Sequence, residues 1–139
     1  MVSLHRQQII DREGELFPSK TYKELVLEPA YNQAKVNFVV HMLQIHFAHL
    51  IMLVEEGIVK KTVASEILKA LEKINAKEFE KRNYDQSYED LFFEIEDFII
   101  KEAGDIAGNL HIARSRNDMG IAIYRINLRE RLLKLIDSA

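Results

Sequence analysis

Residues 108 to 118 read Gly-Asn-Leu-His-Ile-Ala-Arg-Ser-Arg-Asn-Asp. Arg114, Ser115, Arg116, Asn117 and Asp118 meet there, at a turn between two helical patterns. A guanidinium grips a carboxylate through two parallel N–H···O bonds, and a neighbouring asparagine adds a donor and an acceptor. Ser115 followed three residues later by Asp118 has the spacing of a capped helix start. The free N–H groups and the positive end of that helix then lie beside Arg114, Arg116 and Asn117. The chemistry implied is recognition of a carboxylate or a dicarboxylate. The same residues also suit a plain helix start with solvated arginines, because cap residues and surface arginines are common.

Two other groups could do chemistry. His46 and His49 are three apart on one helical pattern and could share a metal. A zinc site needs a third ligand, and the sequence offers none nearby, so no metal is expected. Glu89, Asp90, Glu94, Glu96, Asp97 and Glu102 crowd one segment, which reads as a solvated acidic face.

The elements that would position these residues are helical. Residues 6–12 suit a short helix, and Phe17-Pro18-Ser19 and Glu28-Pro29 suit turns. From Tyr31 to Glu56 the apolar positions Val36, Val40, Leu43, Phe47, Leu50 and Val54 alternate four and three apart, which predicts one long helix. Val39, Met42, Ile45 and Leu53 add a second stripe, and Gly57 stops the helix with Ile58 folding back on it. Thr62 suits the N-cap of the next helix, whose apolar side is Val63, Ile67, Ala70, Leu71 and Ile74. Residues 75–85 are charged and lack a period, so they read as a loop. Ser87 and Asp90 have capping-box spacing ahead of a helix facing inward through Leu91, Phe92, Ile95, Phe98 and Ile99, which Gly104 ends. The last helix starts near residues 117–119. It carries two apolar stripes, one of Ile121, Tyr124, Leu128, Leu132 and Leu135, the other of Ile123, Ile126, Leu133 and Ile136. Two stripes need more than one neighbour, so the chain reads as part of a larger helical bundle.

Bulk properties narrow the class. The chain has 139 residues, 47% apolar and 29% charged, which suits one domain or a piece of a larger protein. A net charge of −3 gives no reason to expect nucleic acid or a membrane as partner. There are no cysteines, so disulfides, thiolate metal sites and cysteine nucleophiles are out, and a reducing compartment is compatible. No secretory signal or membrane-length apolar run is evident.

Arg114 to Asp118, preceded by Leu110-His111, resembles the signature loop of argininosuccinate lyase, in the fumarase/aspartase superfamily. The resemblance runs back without gaps through Ala107-Gly108, Gly104 and Glu96 to Glu89-Asp90. It also covers Ala48-His49, Leu53 and Gly57-Ile58, and weakens before about residue 35. It implies an all-α fold: a helical N-terminal domain (1–113) leading into the first long helix (114–139) of a central bundle that builds a homotetramer. It implies a cytoplasmic enzyme of arginine biosynthesis that needs no cofactor or metal. The reaction implied is β-elimination of argininosuccinate to arginine and fumarate, a dicarboxylate product. In it a base removes a proton beside a carboxylate and an acid protonates the leaving nitrogen.

By the same resemblance Asn117, Arg116 and Ser115 hold the succinate carboxylates, and Asp90 sits in the cleft. Arg114, His111 and Asp118 support the loop. No catalytic residue of the family falls within the chain. Its Thr-His pair and mobile Gly-Ser-Ser loop lie beyond it, and each of its sites draws on three subunits.

The chain departs from the family pattern in four places. Ile112-Ala113 replaces Thr-Gly, Met119 replaces a glutamine, Phe92 replaces a histidine, and Lys35 replaces an aspartate near the arginine end of the substrate. These changes spare the succinate end, so a carbon–nitrogen lyase is the firmer expectation and argininosuccinate the finer one. A different N-substituted aspartate, or a non-catalytic helical scaffold derived from this family, remain the competing readings.

Overall fold

The computed structural model describes residues 4–14 and 18–139, and every element in it is helical. The all-α expectation holds. Among the described residues no single helix is long and apolar enough to cross a membrane. In order the elements are α1 (Leu4–Glu13), α2 (Lys20–Tyr22), a π-helical turn (Lys23–Leu27), α3 (Glu28–Asn37) and α4 (Val39–Glu55). They continue with α5 (Lys61–Glu72), α6 (Ala76–Lys81), α7 (Leu91–Ala103), a 3-10 stretch (Gly104–His111) and α8 (Arg116–Ser138).

The segment from Lys20 to Glu55 differs from the sequence expectation in two ways. Pro29 marks no turn; it sits in the first turn of α3, directly after the π-helical turn. A proline ring clashes with the carbonyl four residues back in a regular helix, and the wider π turn relieves that clash. Nor is there one helix from Tyr31 to Glu56. The chain bends by 68° at Phe38, between α3 and α4. Val36 and Val40, on the expected stripe, are exposed, while Val39, Met42, His46, Leu50 and Leu53 are buried. A polar residue, His46, occupies a position on the buried face, which an apolar count passes over. Of the two candidate turns near the N-terminus, Phe17 lies outside the described residues, and Ser19 serves as the N-cap of α2.

α4 ends as expected. Gly57 takes a φ of 68°, and the N–H groups of Gly57 and Ile58 bond back to the carbonyls of Val54 and Leu53. Val59 rather than Ile58 folds into the core behind it. The next helix starts at Lys61 with Lys60 at the cap position, so Thr62 is not its cap. Its buried side, Ala64, Ile67, Ala70 and Leu71, then fixes its facing against α4 and α7.

The expected loop at residues 75–85 contains a helix. Asn75 caps α6 through its side chain, and Phe79 is buried at 1% exposure. Phe79 packs edge-on to Phe98 at 6.4 Å, and the Arg82 guanidinium lies 3.9 Å from its ring centre. A single aromatic anchor orders the segment, and one anchor leaves no period to read. The acidic face of α7 is also largely paired. Glu94 bonds Arg82 and the Tyr31 hydroxyl, Asp97 pairs with Lys101, and Glu102 with Lys73.

The core joins Leu50 and Leu53 of α4, Ile67 and Leu71 of α5, Phe79 of α6, and Leu91, Ile95 and Ile99 of α7. Leu110 of the 3-10 stretch and Met119 and Ile123 of α8 complete it. Each such side chain contributes about 1.5–3 kcal/mol by leaving water. α8 contacts α4, and beyond Asn127 its apolar residues are exposed.

Candidate functional site

Two helices begin at the same place. The N-cap of α7 is Asp90, whose side chain accepts from the Phe93 N–H; Ser87 is not the cap. The N-cap of α8 is Ser115, in a full capping box: its hydroxyl accepts from the Asp118 N–H, and Asp118 accepts from the Ser115 N–H. These bonds hold the Asp118 carboxyl below its ordinary pKa. Arg116, the first residue of α8, forms an ion pair with Asp90. Its guanidinium also lies 4.9 Å from the ring centre of Phe93 and 5.9 Å from that of Phe92.

Both helix starts line one cleft of about 570 Å3, a volume in the range of small-molecule sites. Asp90 and Phe92 enter from α7, and Arg116, Asn117 and Gly120 from α8. The remaining walls are apolar and include Ala34, Phe38, Met42 and Ile123. Partial positive charge from two helix termini thus converges on one end of a largely apolar cleft.

Of the residues expected to bind substrate, Asp90, Arg116 and Asn117 line the cleft and Ser115 does not. The Ser115 hydroxyl is engaged by the cap. Arg114 turns the other way, beneath the loop, and is half-buried, while His111 stays exposed at the loop's edge. Arg114 donates from both terminal nitrogens to His46 Nδ1, at 3.4 and 3.3 Å. His111 Nε2 lies 3.0 Å from Glu96 Oε1. His49 Nε2 lies 3.0 Å from the Ile112 carbonyl, tying the loop to α4.

Burial dominates the electrostatics of this cluster. It lowers the His46 pKa to about 3, with Arg114 adding to the effect. His49 and His111 are also lowered, chiefly by burial. Glu96 is raised to about 7 by burial, against the pull of Arg114. His46 is therefore neutral, and Glu96 titrates near neutrality. Among the described residues no group of three or more His, Asp or Glu side chains could hold a metal ion.

The sequence reading misses these roles: Glu96 counts there in a solvated acidic face, and His46 only as half of a metal pair that lacks a third ligand. The four departures from the family pattern are now located. Ala113 adopts a positive φ of 56°, a conformation that suits the glycine the resemblance expects there. Phe92 and Met119 are buried, and Lys35 donates to the Arg82 carbonyl at 2.6 Å.

No family model and no solved structure matches the chain. Curated proteins do. Argininosuccinate lyase of Methanosphaera stadtmanae is 42% identical over 66% of this chain and 20% of its own length. Argininosuccinate lyase 2 of Agrobacterium fabrum is 41% identical over 84% of this chain and 23% of its own. Argininosuccinate lyase 1 of Shouchella clausii is 31% identical over 86% and 24%. The chain spans about a quarter or less of these relatives' lengths. Identity at this level over most of the chain, in several named lyases, means that the chain belongs to the argininosuccinate lyase family.

Proposed function

We propose that the chain is the N-terminal part of a carbon–nitrogen lyase that splits argininosuccinate, or a close analogue, into an amine and fumarate. The observation that carries this reading is the convergence of Arg116, Asn117 and two helix N-termini on one cleft. β-Elimination builds extra negative charge on a carboxylate as the proton leaves. Fixed N–H and guanidinium donors stabilise that charge without reorganising. Arg116 and Asn117 would clasp the succinate end, and Asp90 would hold Arg116 at the cleft in place of free rotation. Ser115 would act through the cap rather than by touching substrate. The base, the acid and the closing subunits belong to the rest of a homotetramer, so the 139-residue chain alone has no turnover. Residues 114–139 would open its central bundle.

The leaving amine has a second candidate. The cleft walls are apolar, Asp90 is occupied by Arg116, and Lys35 stands where an acidic partner for a guanidinium is expected. These features favour an N-substituted aspartate with a less polar substituent than arginine.

The test is fumarate release by the full-length protein, assayed with argininosuccinate and with N-alkyl aspartates. Arg116→Ala and Asn117→Ala should each cut turnover by roughly a hundredfold, the scale of losing one pre-set donor. Native kinetics in both variants would reduce the corner to a structural cap, and no fumarate release by the native protein would leave the scaffold reading standing.

A further inference from the structure

Beneath the loop lies a charge that substrate binding does not use. Arg114 is drawn below its ordinary pKa by burial, and its hydrogen-bond partner, His46, is a neutral ring. A neutral ring supplies an acceptor but no countercharge. Glu96 of α7 is the carboxylate whose charge acts on it. The other titratable groups facing this cluster are His46 and His49 from α4 and His111 from the 3-10 stretch.

The geometry links these groups further. Because His46 Nδ1 accepts from Arg114, the ring hydrogen sits on Nε2. His46 Nε2 and Glu96 Oε1 are both buried without a hydrogen-bond partner, although His111 stands at ion-pair distance from the latter. Both residues line one small cavity of about 10 Å3, close to the least that holds a single water. A donor and an acceptor therefore face the same water-sized space. Leaving them unmet would cost roughly 1–3 kcal/mol each.

We propose that Glu96 is a positioning residue: its ionised carboxylate, joined to His46 across that cavity, holds Arg114 in place and so fixes the Ser115–Asn117 corner at the cleft. The inference rests on the reading that this corner clasps a dicarboxylate. Arg114 precedes the corner directly in the chain, and the loop has a second anchor at His49 and Ile112. With Glu96 ionised, the half-buried guanidinium has its countercharge. With Glu96 protonated, the carboxylate countercharge is gone, and a half-buried cation without one relaxes toward water. That motion drags the corner with it. Since Glu96 titrates at about 7, anion affinity at the cleft should have an acid limb close to neutrality.

The experiment is calorimetric titration of the full-length protein with fumarate at pH 6 and pH 8, where fumarate remains fully ionised. Native affinity should fall about tenfold from pH 8 to pH 6, as the competent fraction drops from about nine-tenths to about one-tenth. Glu96→Gln should bind weakly at both pH values, with no limb. Glu96→Asp should keep a pH limb, because it keeps a carboxylate; a purely structural role would not distinguish the two variants in this way. Thermal melts establish that each variant is folded. If the Gln variant does not fold, the native limb and its survival in the Asp variant decide. Equal native affinity at both pH values, or a Gln variant with the native limb, would overturn the assignment to Glu96. Failure of the native protein to bind fumarate at either pH would overturn the dicarboxylate reading itself, and this inference with it.

Discussion

Asp90 and Arg116 form an ion pair between the cap residue of α7 and the first residue of α8. One carboxylate thus performs two tasks: it satisfies the Phe93 N–H and it pairs with a guanidinium that lines the cleft. The two tasks separate by mutation. Asp90→Asn keeps a good cap and loses the charge, so stability should change by only a few tenths of a kcal/mol, about what a half-exposed pair contributes. Asp90→Ala loses both, at about 1 kcal/mol more. Fumarate affinity of the full-length protein should fall in both variants alike. An Asn variant with native affinity would show that Arg116 needs no anchor.

Phe79 should be the costliest single truncation in the segment between α5 and α7. It is buried, meets Phe98 edge-on and carries the Arg82 guanidinium on its face. Phe79→Ala should lower unfolding free energy by about 3–5 kcal/mol, read from denaturant midpoints. A loss under about 1 kcal/mol would mean that α6 contributes little to the core.

How much of this was legible depends on whether the information is local. The capping box of α8 was visible because Ser115 and Asp118 carry it by themselves. The facing of α5 and α7 was visible because Ile67, Leu71, Ile95 and Ile99 repeat with the helix. The bend at Phe38 was not, since neither proline nor glycine marks it. The helix at Phe79 was hidden because a single tertiary contact orders it. Arg116 and Asn117 could be nominated from the loop, and Asp90 from the family resemblance alone. Their meeting in one cleft depends on α7 and α8 starting side by side, which no spacing encodes. Glu96 and His46 escaped for a related reason: each is polar, and only the fold reveals that their polar atoms are enclosed.

Ala113 should be a stored strain. It sits at φ 56°, a left-handed conformation that costs a residue with a Cβ roughly 1–2 kcal/mol. Glycine adopts it freely but loses about 0.5–1 kcal/mol of extra chain entropy on folding. Ala113→Gly should therefore stabilise the protein by about 0.5–1 kcal/mol, the difference between these terms. Chemical denaturation of the two proteins measures it. A destabilised glycine variant would mean that the loop uses the Ala113 methyl in packing.

The buried cluster makes opposite contributions to stability as pH changes, and the signs can be separated. Glu96 is raised from 4.5 to about 7 in the fold. Between those values the folded state holds a proton that the unfolded chain has released, so stability from this group is full below 4.5 and is lost as pH rises through 7. His46 is lowered from 6.5 to about 3. There the unfolded chain holds the extra proton, so stability is full above 6.5 and is lost as pH falls toward 3. The two slopes oppose one another between 4.5 and 6.5, and the native protein should show a shallow profile across that window. Glu96→Gln removes the falling slope, so relative to native its stability should improve steadily from pH 4.5 to 7 and then level off. His46→Gln removes the rising slope, so its deficit relative to native should shrink as pH drops. Urea midpoints of the three proteins between pH 4 and 8 measure both differences. Parallel profiles for native and Glu96→Gln would mean that Glu96 titrates in the fold as it does in the open chain, and that the carboxylate beneath the loop reaches solvent.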